Sequence, residues 1–100
     1  MDKSTEQAVE AAVFRRLLTH LDDNKDVQNI DLMILADFCR NCLAKWYVKA
    51  AQDSGETIDY EAARERVYGM PYSKWKSDHQ LPATEEQSAA LENRQAGKGC

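Results

Sequence analysis

The chain has 100 residues, 43% of them hydrophobic and 30% charged, with a net charge of −4. That length fits one small folded domain, and the composition excludes a disordered chain. The acidic balance argues against attraction of the whole molecule to nucleic acid or an anionic membrane, and no apolar run is long enough to span a bilayer.

The opening stretch, MDKSTEQAVE, lacks the apolar segment of a signal peptide, so a cytoplasmic protein is expected. Three cysteines is an odd count, and a reducing compartment disfavours structural disulfides. Gly and Pro are scarce (four and two) and fall at segment borders. No strand-like alternation is present. The predicted fold is all-α, with four to five helices around a long central helix at about 31–53. Residues 1–95 form the expected domain and 96–100 a mobile tail.

The first helix is predicted from Ser4 to Asp22, with Ser4 and Gln7 as a capping box. Val13, Phe14, Leu17, Leu18 and Leu21 make one apolar stripe on it. The turn Asp22–Asp26, DDNKD, follows. Its Asp22, Asn24 and Asp26 match the first calcium-ligand positions of an EF-hand loop. The match fails where geometry is strict, because Val27 stands where Gly is required and Met33 where a bidentate Glu is required.

The central helix is predicted to start at the N-cap Asp31, with Ile30 stapled to Leu35, and to stop near Gly55. On an unbroken helix Leu32, Leu35, Ala36, Leu43, Trp46 and Ala50 lie within about 60° of Cys39. Ile34 and Phe38 extend the apolar surface further round. Such a helix is sandwiched between neighbours or covered by a second subunit, which predicts a homo-oligomer. An unknown protein partner is the other occupant considered.

A short third helix is expected from Asp59, its N-cap, to Tyr68, ended by Gly69. Pro71 suits the first turn of a fourth segment carrying Tyr72 and Trp75. With Tyr60, Tyr68 and Trp46 these aromatics are expected to cap the core. Thr84 and Gln87 form a capping box for a last, Ala-rich helix to about Arg94.

Three chemical readings attach to the central helix. Cys39 and Cys42, with His20 as a third ligand, could hold zinc, although a closed structural site needs four ligands. The same pair could be redox-active, but on a continuous helix the dipole's help decays from the N-cap and a disulfide would be strained. That reading requires the helix to break and restart with Asp37 as N-cap. Cys39 sits at the centre of the apolar seam, whereas Cys42 lies at its edge near Lys45 and Lys49. The plain alternative is that both thiols pack as small hydrophobes. Third, Arg40, Lys45 and Lys49, interleaved with Trp46 and Tyr47, could contact an anionic partner or single-stranded nucleic acid. Three charges are few, so nucleic-acid binding is not expected. No hydrolase elbow, phosphate loop or HExxH motif occurs, and no catalytic residue is assigned.

The blocks DVQNIDLM, FCRNCLAKWY and VYGMPYSKWK resemble a family of short bacterial proteins known only as a domain of unknown function. The resemblance covers about half the chain. It implies a small multihelical cytosolic protein and supplies no catalytic residue. Sequences of that type read NIDLMNLAGFCRNCL, so Ile34 and Asp37 here replace Asn and Gly. The stretch after Lys76 carries no resemblance.

The leading expectation is a non-enzymatic binding or structural module that self-associates through its central helix.

Overall fold

The computed structural model describes residues 1–95; the tail at 96–100 lies outside the described residues. The described chain is all-helical, with six helices and no strand. They are α1 (Lys3–Asp22), α2 (Asn29–Ala36), α3 (Arg40–Asp53), α4 (Tyr60–Tyr68), α5 (Tyr72–His79) and α6 (Glu85–Gln95).

The long central helix does not exist. It is interrupted at Asp37, which adopts a left-handed conformation (φ 60°, ψ 34°) and caps α2. Asp is one of the few side-chain-bearing residues that tolerates this region, where glycine is at ease. The chain then extends through Phe38, and α3 starts with Cys39, not Asp37, as its N-cap. The break resets the helical phase, so the single face projected for 31–53 is divided between two directions. Leu35 is 77% exposed and Trp46 57% exposed, although both were placed on the core seam.

Two other helix starts move for local reasons. Asp2, not Ser4, caps α1 by accepting the Thr5 N–H at 2.7 Å. Gln28, not Asp31, is the N-cap of α2. Asp31 instead lies in the first turn and accepts the Gln28 N–H through Oδ2 (2.9 Å). The remaining caps match expectation. Asp59 accepts the Ala62 N–H at 2.7 Å. Gly69 ends α4 at φ 73°, and Thr84 and Gln87 bond reciprocally at 2.8 and 3.0 Å.

The core lies mainly between α3 and α4, which make the most extensive helix pair. Ala44 and Ala63 are fully buried there; their small side chains let the two backbones approach closely. Leu43, Val67, Tyr68 and Trp75 fill the space around them, and Leu18 and Leu21 of α1 close it. Of the α1 stripe, Val13 and Leu17 stay exposed and only the C-terminal turns dock. In the first half of α1 every residue up to Glu10 is exposed. The helix therefore extends beyond the body, consistent with a longest dimension of 48 Å against 28 and 25 Å. α6 packs on α2, tied by Gln87 Nε2 donating to Asp31 Oδ1 at 2.8 Å.

Candidate functional site: the junction of α2, α3 and α5

The Cys39–Cys42 block is the first turn of α3. Cys39 is the N-cap and Cys42 the third residue of the helix, and together they form a capping box. Cys42 Sγ accepts the Cys39 N–H at 3.3 Å. Both residues are buried, Cys39 at 3% exposure and Cys42 at 1%. Cys42 is thus not the exposed edge thiol that the unbroken helix implied. The exposure on which the influence of Lys45 and Lys49 depended is missing. The helix does break, but it restarts at Cys39 and not with Asp37 as N-cap, and both cysteines are largely buried.

His20 is exposed on α1, and its backbone carbonyl accepts from Asn24 Nδ2 (2.8 Å). It does not join the cysteines. Among the described residues no group of three or more His, Cys, Asp or Glu side chains could hold a metal ion. The DDNKD turn is likewise organised without one. Lys25 pairs with Asp22 at 2.8 Å, and the carbonyl of Asn24, with those of Leu21 and Val27 flanking the turn, accepts from a guanidinium.

That guanidinium belongs to Arg40, which was read as a surface charge and is 2% exposed. Arg40 NH1 donates to Val27 O (2.7 Å) and Asn29 Oδ1 (3.1 Å). Its NH2 donates to Asn24 O (3.1 Å) and Leu21 O (3.4 Å). Its carbon lies 5.0 Å from the Trp75 ring centroid. Burial lowers the Arg40 pKa, opposed by Tyr68 and Cys39 and by the carboxylates of Asp22 and Asp26. The side chain remains a donor-only cation, as arginine does in proteins. Buried, with both terminal nitrogens donating to acceptors of the protein, it does not present its charge on the surface. Of the basic cluster, Lys45, Trp46 and Lys49 remain exposed. Lys49 is ion-paired with Asp53 at 2.6 Å. Trp46 stacks on Phe38 (6.1 Å) and Tyr47 on Phe14 (6.4 Å).

A directed hydrogen-bond relay starts at Arg40. Asn29 Nδ2 donates to Tyr68 OH at 3.0 Å, and Tyr68 OH donates to Asn41 Oδ1 at 2.7 Å. Gln28 adds a clamp on the far side, donating to His79 O (3.0 Å) and accepting the Leu81 N–H (2.8 Å). The residues between the cysteines are thus the structural knot of the molecule. Sequence reasoning passed over Asn29, Asn41 and Gln28 because their partners lie on distant segments. The stretch after Lys76 supplies the His79 and Leu81 side of this clamp.

Burial pushes the Tyr68 hydroxyl well above the ordinary tyrosine range, against the Asn29 hydrogen bond, which lowers it. The unfolded chain releases this proton near pH 10 while the folded chain keeps it. The stability it contributes is therefore complete below about pH 10 and is lost as pH rises further. Tyr60 shifts the same way, also by burial. Urea midpoints are expected to fall above about pH 10, with Tyr68 contributing at most ~1.4 kcal/mol per pH unit. Tyr68→Phe should flatten that decline. An unchanged slope in the variant would show that Tyr68 does not cause it.

Among the described residues no helix is long and apolar enough to cross a membrane. A comparison with curated proteins returned no match. A family model described as "Protein of unknown function (DUF1244)" matches residues 27–93, which takes in Arg40, Asn29, Asn41, Tyr68 and Gln28, extends past Lys76 into the stretch read as carrying no resemblance, and leaves out α1 and the Leu21 and Asn24 carbonyls. The chain belongs to that family.

Proposed function

We propose that the protein is a non-catalytic helical module that self-associates, and that α1 is the surface it uses. The observation that carries this reading is the unpartnered apolar stripe of Val9, Val13 and Leu17, spaced four residues apart on one face of α1. The exposed apolar residues of the former central segment, Leu35 and Trp46, lie on two different helices. The stripe on α1 is continuous, so the surface moves there from the central helix.

The occupant is a second copy, and charge supports that choice. The first half of α1, with its cap Asp2, carries Glu6 and Glu10 against one lysine, and the second half carries Arg15, Arg16 and His20 against Asp22. An antiparallel pair with Val13 on the two-fold axis sets Val9 beside Leu17 of the second copy. Glu6 then lies near its His20 and Glu10 near its Arg16. Opposed helix dipoles favour the same orientation. Pairing would also support a half-helix that few tertiary contacts hold, since short isolated helices are marginal in water.

Size-exclusion chromatography with light scattering should give twice the chain mass at high concentration. Val13→Glu sets two carboxylates against each other on the axis and should weaken the dimer by at least about tenfold. Because Val13 is 63% exposed in the single chain, circular dichroism of the monomer should not change. A monomer at every concentration would overturn the reading.

A further inference from the structure

A cleft of about 310 Å³ lies beside the knot. The starts of α2 and α3, Tyr72 and the 80–83 segment form its walls. Its size lies at the lower end of the range for small-molecule sites. No lining side chain is Asp, Glu, Lys, Arg or His. Ile30, Met33 and Leu81 supply apolar wall, and Asn41, Tyr72 and Gln80 supply polar groups.

The polarity of Asn41 is set from a distance. Arg40 can only donate, so Asn29 Oδ1 is committed as its acceptor. Asn29 Nδ2 must then donate to Tyr68 OH, and the Tyr68 proton goes to Asn41 Oδ1. The Asn41 amide is thereby fixed with its oxygen used inside the protein. Its Nδ2 is left as a donor on the cleft wall, with no acceptor among the described residues. A neutral polar group held in one orientation beside apolar wall is how small-molecule sites gain specificity.

We propose that this cleft binds a small uncharged molecule that presents a carbonyl-type oxygen to Asn41 Nδ2 and its hydrocarbon part to Ile30, Met33 and Leu81. An ionic ligand would lose its hydration and find no counter-charge on these walls. A pure hydrocarbon would cover the Asn41 donor without satisfying it.

The test is a titration of the nitrogen-15-labelled full chain with 2-piperidone, a six-membered lactam, followed by amide chemical shifts. Saturable shifts are expected in the millimolar range at the Asn41 side-chain amide and at the backbone amides of Ile30, Met33 and Leu81. Piperidinium and pentanoate should give none. Asn41→Asp keeps an oxygen for the Tyr68 hydroxyl and removes the donor, so lactam affinity should fall at least about tenfold. Leu81→Lys is a second variant that spares the fold, because Leu81 is an exposed side chain at the rim and its backbone bond to Gln28 is retained. It too should weaken the lactam. Absence of saturable shifts, shifts confined to residues outside the cleft, equal binding of piperidinium, or full affinity in both variants would overturn the proposal.

Discussion

Arg40→Ala is expected to remove about 3–5 kcal/mol of folding stability, a large share of what a domain of this size has. The guanidinium satisfies the carbonyls of Leu21, Asn24 and Val27 together with Asn29 Oδ1. Alanine leaves these acceptors facing a cavity, and each buried acceptor left unsatisfied costs roughly 1–3 kcal/mol. Lysine does not rescue the site. One ammonium at the end of a flexible stem cannot reproduce a planar fork that spans the turn on both sides, so Arg40→Lys should still lose about 2 kcal/mol or more. Urea denaturation measures both losses. Limited trypsin digestion gives an independent readout, since release of the 22–28 turn should speed cleavage after Lys25. Arg66→Ala, an exposed arginine on α4, is the control and should stay within about 0.5 kcal/mol of the parent. If Arg40→Ala were as stable as Arg66→Ala, the knot would not be what holds the turn.

The role of Arg40 was not legible in the sequence, and the reason is physical. A charged residue in an amphipathic stretch is usually solvated, and nothing local distinguishes the exception. Three of its four acceptors are main-chain carbonyls 13 to 19 residues earlier, and main-chain carbonyls leave no trace in residue identity. What could be read was local chemistry. The caps at Asp59, Gly69 and Thr84 each depend on a side chain or a positive φ within a few residues. The break at Asp37 was hidden for the opposite reason. Leu32 to Ala36 and Leu43 to Trp46 each have helical spacing, and a single left-handed residue between them alters no period within either half. The Asp at position 37 was the available clue. Asp37 was carried inside an unbroken helix, with an N-cap role entertained only for the redox reading, whereas it is a C-cap. From that one error follow the misplaced Leu35 and Trp46 and the supposed edge position of Cys42. The stripe on α1 shows another limit. Periodicity identifies an apolar face but not how much of it the body of the molecule covers.

Trp75→Ala should be the largest single core loss, about 3–5 kcal/mol. Trp75 is 2% exposed, the largest side chain so enclosed, and it lies on the short helix α5, which has few residues of its own to bury. Its ring meets Tyr68 edge-on at 4.9 Å and His79 at 5.7 Å, and Arg40 lies over it at 5.0 Å. Truncation therefore does more than open a cavity. It removes the aromatic surface against which a buried cation is held, a contact worth up to about 2 kcal/mol when desolvated. It also loosens Tyr68, the middle member of the relay from Asn29 to Asn41. Trp75→Phe keeps an aromatic face and should cost roughly half as much. The two largest predictions are consequently coupled. In a double-mutant cycle, Arg40→Ala combined with Trp75→Ala should lose at least about 1 kcal/mol less than the sum of the single losses. Strict additivity would mean that the cation and the ring occupy one site without supporting each other. Fluorescence separates the two tryptophans in the same experiment. Trp46 is exposed and remains in every variant, so loss of the blue-shifted component in Trp75→Ala reports on the core alone.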